Sequence, residues 1–180
     1  MSHSVPQPAL ERLVPFVGRP VVVGVIPGQD PLVVRTAVLL AVATGAELHL
    51  GYADPSRYVV DESADGSVRH APLDPDSDDE TWRDVSDALT RWAGELVDGS
   101  VPWRLVYLAG RPDRALTHLA RAVDAAAIVV GTRAPGAGAR LKEFVEGSVA
   151  AHLAHHQHRP VLTVPLSVVD WKDIGAPWAR

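Results

Sequence analysis

Short apolar runs alternate along this chain with stretches of helical periodicity. Pro20–Ile26 (PVVVGVI) is β-branched and bounded by turn residues, so it reads as a buried parallel strand. Pro27-Gly28-Gln29-Asp30 then turns the chain, with Asp30 capping a helix whose first position is Pro31. That helix runs to about Thr44, and Gly45 suits its C′ position. It is apolar over most of its surface, which predicts a well-buried helix. Ala46–Tyr52 alternates and forms a second strand. Residues 54–78 are polar and rich in Pro, Asp and Ser, the pattern of a long loop that is either functional or disordered. Ser77 and Glu80 have the spacing of a capping box. Trp82, Val85, Leu89, Trp92 and Leu96 recur at three- and four-residue steps, an amphipathic helix with its tryptophans in the core. Trp103–Leu108 is a third strand. Gly110–Asp113 turns into a helix over about 111–123, with Ala115, Leu116, Leu119, Ala120 and Val123 on one face. Ala126–Val130 is a fourth strand, a helix follows over about 148–156, and Arg159–Pro165 is a fifth strand.

The order β-α-β-α-β-α-β-α-β predicts an α/β fold: a five-stranded, mainly parallel open sheet with helices on both faces, Rossmann-like in its winding. The folded domain is expected over 19–166. It lies between an N-terminal arm, 1–18, broken by Pro6, Pro8, Pro15 and Gly18, and a C-terminal tail, 167–180. Open sheets of this kind bind ligands beyond the carboxyl ends of their strands, where the winding reverses. The ends of the first and fourth strands are therefore the places to search. The fifth strand should be a sheet edge, and an unpaired edge is a template for another strand.

Composition narrows the function. A 47% hydrophobic chain has material for a real core, and a net charge of -5 argues against a general nucleic-acid-binding surface. The acidic run Asp74–Glu80 reads as a solvated loop leading into a helix. The absence of cysteine excludes disulfides, thiolate metal sites and cysteine nucleophiles. No basic region followed by an apolar core opens the sequence, and no apolar stretch is a convincing membrane span. A cytoplasmic protein without membrane contact is expected.

The segment 131–149 (GTRAPGAGARLKEFVEGSV) concentrates backbone freedom straight after the fourth strand. A P-loop requires Gly-x4-Gly-Lys-[Ser/Thr], but Ala137 stands where the lysine belongs. The dinucleotide fingerprint Gly-x-Gly-x-x-Gly fails at Leu141 and follows the wrong strand. A helix start at Gly147-Ser148 still offers free N–H groups and a partial positive charge to an anion. The Ser148 hydroxyl and the Ser148 and Val149 amides could donate to it. Gly136 and Gly138 would let the loop wrap phosphates, and Arg133 would add a charge-assisted contact.

Taken together, VVVGV in the first strand, TGAELHL at the second, AGRPDRAL after the third, IVVGTR at the fourth and GSVAAHLAHHQHRPVLTVP resemble the universal stress protein family. The resemblance covers about 20–165. The family's nucleotide motif is Gly-x2-Gly-x9-Gly-[Ser/Thr]. The resemblance implies ATP binding, possible use of Mg, at most slow hydrolysis, a stress-related regulatory role, and homodimerisation through the edge strand around Val161–Val164. It assigns the nucleotide to Val25, Ile26, Gly131, Thr132, Arg133, Gly136, Gly138, Gly147, Ser148 and Val149. Two positions depart from the pattern. Ala134 replaces the second glycine. Ile26 stands where the family's first strand often ends in an aspartate that reads the nucleotide.

Other chemistry is sparse. His152, His155, His156 and His158 cluster near a helix end, where His152 facing His155 or His156 could bind metal, but imidazoles also suit a negative helix end, and no carboxylate or cysteine accompanies them nearby. No Gly-x-Ser-x-Gly elbow is present. Related ATP-using enzymes carry Ser-Gly-Gly-x-Asp-Ser after the first strand, which Pro27–Asp30 does not supply. Trp171 and Trp178 mark the tail as a contact segment, either with its own domain or with a partner. A dimeric interaction module that binds no nucleotide is the alternative reading.

Overall fold

A computed structural model describes residues 9–76, 80–132 and 149–167. In chain order its main elements are β1 (Val21–Gly24), α1 (Leu32–Thr44), β2 (Leu48–Asp54), β3 (Arg57–Glu62), β4 (Val68–Pro72), α2 (Thr81–Val97), β5 (Trp103–Ala109), α3 (Pro112–Ala122), β6 (Ala127–Gly131), α4 (Val149–His156) and β7 (Val161–Val164). Five strands form one parallel sheet in the order β5-β2-β1-β6-β7. From β1 the chain winds outward to β2 and β5, then returns to build β6 and β7 on the other side.

Period-two alternation divides the core. Val21 and Val23 face a layer made with Val33, Val34, Ala37 and Ala41 of α1 and Ala93 and Val97 of α2. Val22 and Ile128 face the opposite layer, with Leu116 and Leu119 of α3 and Leu153 of α4. Helices on both faces keep water from the parallel ladder, which explains why the central strands β1 and β6 are apolar throughout.

Local signals set the helix ends. Pro31 is already helical (φ -54°, ψ -22°), and Asp30 Oδ1 accepts the Leu32 N–H at 2.8 Å. Gly45 closes α1 in the left-handed region (φ 64°), and the Ala46 N–H reaches back to the Ala41 carbonyl at 2.9 Å. Ser77 of the expected capping box lies outside the described residues.

Three expectations need correction. β1 ends at Gly24, so Val25 and Ile26 lie just beyond the strand and before the turn at Pro27–Gly28. The stretch expected as a loop over 54–78 contains an antiparallel hairpin, β3–β4. Its alternation is weak because nearly all of β3 is exposed and the register shifts between Val59 and Asp61. Tertiary contacts hold the hairpin instead. Gly66 (φ 81°) sits so close to α3 that a Cβ there would lie 2.8 Å from Leu119 Cδ1 and 3.0 Å from Ala122 Cβ. Arg104 of β5 donates to the Asp65 carboxylate at 2.8 Å, to the Asp65 carbonyl at 2.7 Å and to His49 Nδ1 at 3.0 Å. Hydrogen bonds from the Ser67 side chain and then from Arg104 hold the Asp65 carboxyl well below the usual carboxylate range. The third correction concerns α1, which is less buried than expected: among the described residues Leu32, Leu39 and Val42 are exposed, while Val33, Val34, Ala37, Val38 and Ala41 are buried.

Candidate functional site

The reversal of winding falls between β1 and β6, which are hydrogen-bonded neighbours with Val23 opposite Val129. Continuing that register brings Val25 level with Gly131. Val25 is buried, whereas Ile26 is 39% exposed at the mouth of the crevice. Gly28 (φ 72°) lets the next turn close, with the Gln29 N–H donating to the Ile26 carbonyl at 3.2 Å.

Across the crevice, β6 ends in Gly131 and Thr132. A Cβ on Gly131 would lie 2.9 Å from Val33 Cγ2 and 3.0 Å from Leu166 Cδ1. The glycine therefore admits the first turn of α1 and the chain that leaves β7. Packing alone demands it here, whatever ligand approaches. The Thr132 N–H donates to the Val164 carbonyl at 2.8 Å, and the Thr132 hydroxyl accepts the Leu166 N–H at 2.8 Å. A hydroxyl accepting one bond still has its own proton to donate.

Val25, Ile26, Gly131 and Thr132 thus gather at one strand junction. Val149 starts α4 with its side chain against the α3 and α4 layer, so its amide is the group it has for a ligand. Arg133, Gly136, Gly138, Gly147 and Ser148 lie outside the described residues, as does Ala134.

Sequence reasoning missed Gln29. Its side-chain amide donates to the Gly24 carbonyl at 3.3 Å, while its Oε1 is buried with no hydrogen-bond partner. A lone glutamine in the turn after the first strand was the available signal. It also missed a second polar group at the ends of β2 and β5. The Tyr107 hydroxyl donates to Asp54 Oδ2 at 2.7 Å, and Arg57 Nε donates to His70 Nδ1 at 2.7 Å. His70, Trp82 and Tyr107 pack with ring centroids 4.9–5.4 Å apart, and Tyr52 meets Tyr107 edge-on at 5.1 Å. Burial, reinforced by the Asp54 charge, pushes the Tyr52 phenol up to about 12. Burial and the bond to Asp54 push Tyr107 higher still. This group is a packed seam between sheet and hairpin.

The carboxylates described around these strand ends are committed. Asp30 caps α1. Asp54 also accepts from the Ser56 N–H at 2.9 Å and hydroxyl at 2.6 Å. Asp113 takes two bonds from Arg111, at 2.9 and 3.1 Å. Burial works against ionisation at Asp113, but the Arg111 bonds and charge overcome it and lower its pKa. On α4, His152 and His156 stack at 5.8 Å. Among the described residues no group of three or more His, Cys, Asp or Glu is disposed to hold a metal ion. An open groove of about 490 Å3 lies at the opposite, amino end of the sheet, between Gly18, Pro20, Val42, Gly45, Ser100 and Pro102. No described helix is long and apolar enough to cross a membrane.

The family model of the Universal stress protein family matches residues 18–165. The chain belongs to that family.

Solved universal stress proteins share its fold. One from Archaeoglobus fulgidus is 23% identical, with a TM-score of 0.57 over 82% of this chain and 94% of that one. A universal stress protein in complex with cAMP is 24% identical, with a TM-score of 0.56 over 84% of this chain and 99% of that one. A universal stress protein from Archaeoglobus fulgidus in complex with dAMP is 20% identical, with a TM-score of 0.56 over 82% of this chain and 98% of that one. At these identities the likeness establishes the fold alone. No curated protein matches the sequence.

Proposed function

We propose that this universal stress protein binds an adenine nucleotide in the crevice between β1 and β6 and serves as a stress-responsive regulatory module. The observation that carries this reading is the reversal of winding at that crevice, with Ile26, Gly131 and Thr132 around its mouth. The neighbours in complex with cAMP and dAMP support an adenine ligand. Ile26 offers apolar surface to the base but cannot make an aspartate's hydrogen bond. The phosphates fall to the α4 start, Gly147-Ser148-Val149, helped by Arg133, Gly136 and Gly138 in the preceding loop. ATP, with or without Mg, is the ligand of this reading. Hydrolysis is slow in it, because the nearby described carboxylates already have partners. The working unit is a cytoplasmic homodimer paired along β7, an edge strand on which Leu162 is 40% exposed.

One observation favours the alternative, an interaction module without nucleotide: Val33 and Leu166 already fill the space beside Gly131. Calorimetric titration with ATP, AMP and cAMP separates the two, alongside Gly147→Glu. The proposal expects heat of binding that the variant abolishes. No heat and no thermal shift at millimolar ATP would overturn it.

A further inference from the structure

The sequence of α1, LVVRTAVLLAVAT, is apolar almost all the way round, which is the pattern of a helix covered on every side. The described residues cover one side only. Val33, Val34, Ala37 and Ala41 are buried against the sheet, while Leu32 (47%), Leu39 (72%) and Val42 (57%) are exposed along the outer face. The stripe continues past the end of the helix. The Gly18 N–H donates to the Thr44 carbonyl at 2.8 Å, which ties the arm to that end, and Phe16 and Val17 are exposed just before it. Aligned large side chains of this kind mark a contact surface, unlike scattered single ones.

We propose that residues 168–180 of this chain cover the outer face of α1. Three observations select this occupant. The first is where the chain leaves the sheet. Leu166 packs on the α1 side of the core, and the positions of Val33 and Leu166 around Gly131 put it against the first turn of the helix. The bond between the Thr132 hydroxyl and the Leu166 N–H fixes that exit. The second is reach. α1 has 13 residues, or roughly 20 Å at about 1.5 Å per residue. Residues 168–180, extended, span on the order of 40 Å. The third is chemistry. The segment VVDWKDIGAPWAR brings Val168, Val169, Trp171, Ile174 and Trp178 to an apolar stripe, and its four charges, Asp170, Lys172, Asp173 and Arg180, include two acids for the one charged residue of α1, Arg35. Starting at Leu32, the segment runs alongside α1 toward Val42.

Trypsin cleavage after Lys172 reads the contact directly in the full chain. A covered segment is cut slowly in the wild type. Leu39→Asp, a change at an exposed position that leaves the fold intact by circular dichroism, should accelerate that cut at least tenfold. Leu162→Asp, on β7, should leave it unchanged. Removing residues 168–180 should increase binding of an apolar dye, and Leu39→Asp in the shortened chain should reverse the increase. Equal cleavage at Lys172 in the wild type and Leu39→Asp overturns the proposal. So does acceleration by Leu162→Asp, which would put the segment on the β7 edge. If Leu39→Asp lowers the mass of the particle in sedimentation with no change at Lys172, the stripe belongs to a second copy and the proposal also fails.

Discussion

The Thr132 hydroxyl accepts a hydrogen bond from the Leu166 amide at 2.8 Å, joining the end of β6 to the chain that leaves β7. Thr132 therefore has a structural duty apart from any ligand. Thr132→Val should strand the Leu166 N–H and cost about 1 kcal/mol of stability. Thr132→Ser keeps an acceptor there and should recover most of it. Urea unfolding of the three proteins checks this.

Ile26 sits at the crevice mouth with nothing to offer a base except apolar surface. Ile26→Asp would add an acceptor for an exocyclic amine. One such hydrogen bond is worth roughly 1 kcal/mol net, so the variant should bind AMP and ATP severalfold to about tenfold more tightly. Calorimetry gives the ratio, and unchanged or weaker binding would count against this placement of the base.

Gly66 carries the hairpin's contact with α3. Gly66→Val combines a left-handed backbone with a clash against Leu119 and Ala122. The expected loss is about 2–4 kcal/mol, from strain and overpacking together. Amide exchange should speed up across 57–72 while the strands of the main sheet stay protected.

Asp65 gives that hairpin an acid sensitivity of definite sign. Its folded pKa lies below its ordinary value of 3.8, so its contribution is fully present above that value and is lost as pH falls further. Asp65→Asn should flatten the acid limb of the stability curve below about pH 4. Stability measured by urea at successive pH values would show it.

The tyrosine seam has the opposite dependence. Tyr52 and Tyr107 have pKa values raised above 10.0, so the stability they confer is complete below pH 10.0 and falls as pH climbs toward the folded values. Tyr58→Phe leaves only these two phenols. Its native-state phenolate absorbance should stay flat past pH 10.0 and rise only as the protein unfolds or as Tyr52 approaches about 12.

The five strands of the main sheet and the four helices were legible because each carries its own signal. The β-branched runs, the three- and four-residue spacing from Trp82 to Leu96, Asp30 before Pro31 and Gly45 after Thr44 all act within a few residues of themselves. The candidate crevice was legible for the same reason, since strand order in a wound sheet puts the ends of the first and fourth strands side by side. The hairpin was not. Its residues resemble a loop because what holds them is Arg104, Leu119 and Tyr107, far away in sequence.

Sequence by itself determined the α/β class, the parallel sheet, the edge position of β7 and the family. These follow from local propensity and periodicity, which need no partner to be read. Only the tertiary structure decided that Gly131 admits Val33 and Leu166, that Gln29 keeps a buried unpaired oxygen, and that the other described residues cover α1 on one face alone. Those facts depend on which atoms meet across long separations, and no local pattern encodes that.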